Sequence, residues 1–216
     1  MTFLFDPAPV ASVAVAGRGA FAIRRVFCVG RNYAAHAAEM GNEVDRAAPF
    51  YFTKTPMHVM ASGGVLAYPP GTAELHHEIE LAVALGPDGR MIAAGVALDM
   101  TRRDLQAAAK ETRRPWDTGK DFEGAAVLAP MSSLEDVGAR DVALDVNGGA
   151  RQRGNTRDMV WPVPALLGHL ATLYDLGAGD VILTGTPAGV GAVQPGDRLT
   201  GRIDGLEPLT LGIAPR

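Results

Sequence analysis

Cysteine is almost missing: Cys28 is the only one in 216 residues. That excludes an intrachain disulfide and a thiolate zinc cage, and it points to a reducing compartment. Lysine is scarce too, with only Lys54, Lys110 and Lys120 among 20 basic residues. Genome composition explains such a bias, yet an arginine-using chain also keeps lysine where a compact, adjustable ammonium is wanted. Aromatic residues are few and no basic cluster interleaves with them, so nucleic acid is not an expected partner. No apolar run reaches the ~18 residues of a membrane span, and the start lacks the basic region of a secretory signal, so a cytoplasmic protein with no membrane partner is expected. There is no fixed-period repeat and no Gly-x-Ser-x-Gly elbow. The Gly-rich segment 185–191 lacks the Gly-Lys-Ser/Thr ending of a phosphate loop.

What is present reads as a globular domain. Hydrophobic residues make up 47 %, charged residues 20 %, and the formal net charge is -4, so the chain can bury a core and has no reason to be disordered. The 26 glycines and 15 prolines punctuate short segments instead of forming one linker. Strands are expected at 26–29, 50–54, 76–85, 91–98 and 180–184, with a hairpin of 142–146 and 150–153 around Asn147-Gly148. Helices are expected at 32–40, at 164–176, and from a capping box at 101–104 through Thr112. The sum is an α+β, β-rich fold.

Three groups of residues could carry chemistry. In an unbroken strand Glu78 and Glu80 fall on one face, about 7 Å apart. Two carboxylates beside the apolar run 81–85 repel and raise each other's pKa unless a cation sits between them, although a solvated strand face is the competing reading. Asp99 closes a second apolar run just ahead of a helix, as a further ligand or as a helix cap. If the hairpin 76–98 pairs Glu80 near Met100, the three oxygens converge, and such a set suits Mg²⁺ or Mn²⁺. His76 is a neighbour of that set more than a ligand.

His36 and Glu39 share a helix face at i, i+3, the spacing of a base and its orienter or of a surface pair. Arg103 and Gln106 repeat the spacing and aim a guanidinium and an amide toward the acids, which suits a carboxylate substrate; a solvated helix face competes. Lys120 follows a turn-like stretch, either on the surface or near a developing oxyanion. Thr186 and the backbone of its loop could bind a carboxylate. Cys28 packs as a small apolar residue.

The ordered segments Val29-Gly30-Arg31-Asn32-Tyr33 through His36 and Glu39, His76-His77-Glu78-Ile79-Glu80, Leu98-Asp99-Met100-Thr101 with Arg103-Asp104, and Leu183-Thr184-Gly185-Thr186-Pro187 resemble the fumarylacetoacetate hydrolase family, with the small acylpyruvate and fumarylpyruvate hydrolases as the nearest branch. The resemblance runs from about residue 25 to the end. It implies residues 1–24 as a β-rich lead packed on a catalytic domain 25–216, with a mixed-sheet β-roll or sandwich, short helices and a homodimer. It further implies Glu78, Glu80 and Asp99 as ligands of Mg²⁺ or Mn²⁺, and His36 with Glu39 as a water-activating dyad on a lid. Lys120 would face an oxyanion, and Arg31, Asn32, Tyr33, Arg103, Gln106 and Thr186 would bind substrate. Two departures stand out: the family's Lys-Pro is here Lys54-Thr55-Pro56, and the segment between Glu80 and Asp99 is short.

The implied reaction is hydrolysis of a carbon-carbon bond in a 2,4-diketo acid, with fumarylpyruvate giving fumarate and pyruvate in gentisate-type aromatic catabolism. The alternative with the same site is an oxaloacetate or 2-hydroxydienoate type decarboxylase or tautomerase. A non-catalytic protein stabilised by Mg²⁺ or Ca²⁺ is the third reading.

Overall fold

The strand Ile79–Leu85 is buried at every position, as its uninterrupted apolar run dictates: a strand covered on both faces has no polar side to present. The computed structural model describes residues 3–41 and 44–215. It places this strand inside an eight-stranded mixed sheet. The order is Phe50–Lys54, Arg25–Gly30, Asp180–Leu183, Ile79–Leu85, Met91–Asp99, Ala126–Leu128 and Val59–Ala61, with Ser132–Ser133 beside Met91–Asp99.

Side chains alternate across these strands. Ile79, Leu81, Val83 and Leu85, with Val96 and Leu98, face the main core shared with a five-stranded sheet. That second sheet runs Gly149–Asn155, Asp141–Val146, Arg198–Ile203, Leu209–Ile213 and Val65–Leu66. Ala82, Ala84, Ala93 and Ala97 point the other way, into a smaller cluster. The hairpin of Ser12–Val15 and Gly19–Ala22 covers that cluster with Val13 and Val15, joined by Ile23. Small residues there let the lead approach closely. Glu80 and Asp99 continue the alanine face at the end of their strands, which is where the site forms.

Most expected elements are present, and the differences have local causes. The expected strand 76–85 breaks at Glu78, because Leu75–His77 leaves the large sheet to pair with Thr101–Arg102 and Gly191–Ala192. The capping box does not form: the helix runs Arg103–Glu111 with no side-chain cap. Thr101 lies in the short strand, and the Asp104 carboxylate instead accepts the Thr72 hydroxyl at 2.5 Å and the Ala73 N–H at 2.8 Å. The expected helix 164–176 is Val163–Leu170 only. Tight turns take over its last carbonyls, with Leu173 N–H and Tyr174 N–H both donating to Leu170. The Asn147-Gly148 turn is as expected, with φ of 52° and 78°. Among the described residues no helix is long and apolar enough to cross a membrane.

Candidate active site

The break at Glu78 brings the acids together. Asp99 N–H donates to the Glu78 carbonyl at 2.9 Å, and Glu80 stands opposite Ala97, not near Met100. The hairpin register is therefore tighter than the sequence suggests. One carboxylate oxygen each from Glu78, Glu80 and Asp99 lies within 4.8 Å of the others, and all three residues are buried.

Cations surround two of the three. Lys120 Nζ donates to Glu78 Oε2 and Asp99 Oδ2, both at 2.8 Å, and to the Thr101 hydroxyl at 2.7 Å. An ammonium has three protons, so none is left for an oxyanion. In this arrangement Lys120 ties the acids together. Its helix Asp117–Lys120 packs tightly: a Cβ on Gly119 would lie 2.9 Å from Gln106 N. Burial alone would lower the Lys120 pKa, but Asp99 and Glu78 reverse this and hold it raised. Glu78 is governed the same way. Burial pushes it up, and Lys120 and Arg103 pull it well below the usual carboxylate range.

Lys54 is the third cation. The sequence left its role open, because Thr55 separates it from Pro56. Its ammonium lies 2.8 Å from Asp99 Oδ1 and donates to the backbone carbonyls of Met100 and Lys120. The extra residue is absorbed next door: Thr55 N–H and its hydroxyl donate to Asp121 at 2.9 and 2.6 Å.

Among the described residues Glu80 has no ion pair; its Oε2 accepts Gly185 N–H at 2.7 Å. Burial, Asp99 and Glu78 push its pKa well above the usual carboxylate value. Asp99 Oδ1 is ion-paired with the Lys54 ammonium at 2.8 Å and has no other polar partner among the described residues. A buried acid with no ion pair among the described residues, within an all-oxygen set of three carboxylates, fits a hard divalent ion. Gly185 is required here: its φ is 96°, and a Cβ would lie 2.8 Å from Asn32 Cβ and 3.1 Å from the Val29 carbonyl.

The dyad sits beside the acids. In the helix Ala34–Glu39, His36 Nδ1 lies 3.4 Å from Glu39 Oε2, and His36 Nε2 has no hydrogen bond among the described residues. Burial lowers the His36 pKa below 6.5, against the raising effect of Glu78 and Glu39. Arg103 bonds Glu78, donates to Gln106 Oε1 at 2.6 Å and approaches His76 Nδ1 at 3.4 Å. His76 thus contacts the arginine, not the acids.

Of the remaining sequence candidates, Arg31, Arg103, Gln106 and Thr186 line the same cavity as the acids and His36. Asn32 and Tyr33 do not. Asn32 is fully buried; its amide donates to the Trp161 and Thr184 carbonyls at 3.0 and 2.8 Å, and its oxygen accepts Trp161 N–H at 2.7 Å. With both groups engaged it organises the loops. Tyr33 is buried in the core, forms a bridge to Met159, and has its phenol pKa raised by burial.

Three contributors escaped the sequence. Gln152, fully buried, donates to the Thr186 hydroxyl at 2.8 Å and the Pro187 carbonyl at 2.9 Å, while its oxygen accepts Ile79 N–H at 3.0 Å and faces His77 Nδ1 at 2.9 Å. No spacing rule signals a glutamine on a distant strand. Lys110 and Trp116 also line the cavity; the scarcity of lysine was the only hint of Lys110. A wider groove of about 760 Å³ beside Met91, Val163 and Leu167 holds none of the acids or the dyad, so chemistry and not size identifies the site.

Known proteins share this frame. A fumarylpyruvate hydrolase from Ralstonia sp is 41 % identical over 190 residues, covering 82 % of this chain and 99 % of its own. A mitochondrial oxaloacetate tautomerase from Arabidopsis thaliana is 38 % identical, covering 89 % and 92 %. The crystal structure of a fumarylpyruvate hydrolase from Pseudomonas aeruginosa, in complex with Mn²⁺ and pyruvate, superposes with a TM-score of 0.94 at 40 % identity over 100 % of both chains. The family described as fumarylacetoacetate (FAA) hydrolase C-terminal matches residues 25–214, the stretch holding the acids, the dyad and both large sheets, and the chain belongs to that family.

Proposed function

We propose that this protein hydrolyses the carbon-carbon bond of an acylpyruvate, with fumarylpyruvate as substrate and fumarate and pyruvate as products. The observation that carries the reading is the buried trio of Glu78, Glu80 and Asp99 within 4.8 Å of one another, beside a neutral imidazole. Those residues would hold Mg²⁺ or Mn²⁺; a bound divalent ion supplies Lewis-acid stabilisation of enolate charge on the leaving fragment, worth several kcal/mol.

The chain supplies the rest. His36, neutral at pH 7 because burial lowers its pKa, takes a proton from water at Nε2. Glu39 faces Nδ1 and fixes the tautomer. The water attacks the distal carbonyl, the bond to the pyruvyl methylene breaks, and its electron pair stays on the pyruvyl fragment, which then takes up a proton. Gln106, Thr186 and the remaining N–H groups of Arg103 hold the pyruvyl carboxylate. Lys120 and Lys54 keep the acids clustered.

The relatives named oxaloacetate tautomerases favour one second reading, in which enolisation of a 2-oxo diacid needs no attacking water. The test is loss of enol absorbance from fumarylpyruvate, acetylpyruvate and oxaloacetate with Mg²⁺ or Mn²⁺, in the wild type, Glu80→Gln and His36→Ala. Metal-dependent cleavage that both substitutions abolish supports hydrolysis. Enolisation that survives His36→Ala, without cleavage of either acylpyruvate, supports the tautomerase. Equal, metal-independent rates in all three proteins overturn both.

The reading includes a cytoplasmic homodimer. Phe3, Leu4, Phe5 and Val10 are 65, 84, 84 and 72 % exposed, an apolar lead that a second copy would cover. Light scattering of the purified protein decides the oligomeric state.

A further inference from the structure

Five cations gather around the site, and only three have acids. Lys54, Lys120 and Arg103 each contact Glu78 or Asp99. Arg31 and Lys110 line the same cavity and have no acidic partner among the described residues. Each rests instead on a ring: the Arg31 guanidinium is 5.9 Å from the Phe50 centroid, and the Lys110 ammonium 4.8 Å from that of Trp116. The two rings touch, with centroids 4.8 Å apart. The aromatic pair therefore bridges two cations at one wall of the cavity, held by ring faces and not by charge.

Arg31 is exposed, yet an uncommon backbone conformation fixes its position at the cavity. Arg31 follows the strand Arg25–Gly30 with φ of 59°, a left-handed backbone that non-glycine residues rarely adopt. Lys110 is half-buried at the end of Arg103–Glu111. Burial, with Arg103 and Arg31 nearby, lowers its pKa to about 8. A second anion arriving there would relieve that repulsion, and Glu78 and Asp99 are already paired with Lys120, Arg103 and Lys54.

We propose that Arg31 and Lys110 receive a second carboxylate at the far end of the acyl chain, so that the site selects substrates whose acyl group is itself an acid. The inference rests on the acylpyruvate reading, since it takes the pyruvyl end to lie at Arg103, Gln106 and Thr186. It gives a physical reason for a fumaryl over an acetyl tail: a carboxylate between two cations over aromatic faces gains charge-assisted hydrogen bonds that a methyl group cannot make.

Two unreactive probes isolate the tail. 2-Oxoheptanedioate and 2-oxoheptanoate have the same chain and the same 2-oxo acid end, lack the 4-oxo group needed for cleavage, and differ in one terminal carboxylate. Calorimetry on the Mg²⁺-loaded protein is expected to give about tenfold tighter binding of the diacid, the scale of a charge-assisted contact. Lys110→Met, which keeps a stem against Trp116, brings the ratio close to one. Arg31→Asn, whose side chain tolerates the left-handed backbone, lowers the ratio as well. A wild-type ratio near one, a ratio unchanged in both variants, or equal loss of both probes overturns the inference. Failure of the acylpyruvate reading shows separately, as absent hydrolysis in a protein that still prefers the diacid.

Discussion

The carboxylate of Glu39 accepts the backbone N–H of Gly189, 3.1 Å from each of its oxygens. The loop 185–191 thus binds carboxylates belonging to the protein itself, Glu80 at Gly185 and Glu39 at Gly189. One loop fastens both the acidic face and the dyad helix. His36→Ala is expected to lower kcat for acylpyruvate hydrolysis by roughly 10²- to 10⁴-fold, the contribution of a positioned general base. Glu39→Gln keeps the size and loses the charge, and should lower kcat by less. A Glu39→Gln enzyme as slow as His36→Ala would mean that Glu39 does more than orient the ring.

The pH profile follows from the sign of the His36 shift. Only the neutral ring accepts a proton, so activity falls as pH drops through its pKa. Burial, joined by Arg103 and opposed by Glu78 and Glu39, holds that value below 6.5, and a bound divalent cation acts in the same direction. The acid limb of kcat/KM is therefore expected to have its midpoint below 6.5. Glu39→Gln removes a group that raises the pKa and should move the midpoint further to acid. A midpoint above 6.5, or a move upward in the variant, contradicts the assignment of His36 as the base.

Lys120→Met separates holding the acids from contacting substrate. Removing one partner of a buried ion pair leaves uncompensated charge and costs about 3–5 kcal/mol. The penalty should be largest in metal-free protein, where Glu78 and Asp99 lose an ammonium 2.8 Å away, and smaller with Mg²⁺ saturating. Urea midpoints with EDTA and with Mg²⁺ measure this. Equal losses in both conditions would place the role of Lys120 elsewhere.

The acids were legible in the sequence as Glu78, Glu80 and Asp99, because buried charge beside apolar runs is costly enough to mark itself. The route by which they meet was not: alternation along one strand put Glu78 and Glu80 on one face, whereas the chain changes sheets at Glu78. Pairing partners lie far away in sequence, as with Leu183 opposite Ala82 where Asp180–Leu183 runs beside Ile79–Leu85, and local pattern carries no such information. Asn32 illustrates the other failure. It stands inside a motif with functional neighbours, yet its hydrogen bonds go to Trp161 and Thr184 backbone. Gln152 is the converse, a residue with no local signal whose role comes from the strand that delivers it.

Glu80→Gln should uncouple fold from metal. Without an ion, Glu80 is the acid of the trio with no ion pair among the described residues and with a raised pKa, so a neutral amide in its place costs the fold little and can raise its stability. The acceptor for Gly185 N–H survives as the amide oxygen. Metal affinity should drop sharply. In the wild type, Mn²⁺ or Mg²⁺ at 100 times its Kd is expected to add about 2.7 kcal/mol, and in Glu80→Gln the melting temperature should barely respond. A variant that melts higher with metal, as the wild type does, would move the ion away from this trio.

Acid sensitivity of the fold has a source remote from the site. The Asp180 carboxylate, fully buried, accepts Arg24 at 3.2 and 2.8 Å, Arg25 at 2.8 and 2.7 Å, and Gly177 N–H at 2.9 Å. These bonds clamp the start of Asp180–Leu183 to the start of its parallel neighbour Arg25–Gly30. Burial alone would raise the Asp180 pKa, but Arg25 and Arg24 bring it below 3.8. A depressed folded pKa contributes stability above the unfolded value, and that stability is lost as pH falls through the lower, folded one. Asp180→Asn is therefore expected to cost roughly 1.5–3 kcal/mol at pH 7, the range of hydrogen bonds to a charged group. The gap from wild type should narrow as pH drops below about 3.8. Urea midpoints of both proteins at pH 7 and in acid give the comparison, and a gap that stays constant would show that the ionised carboxylate is not what joins the two strands.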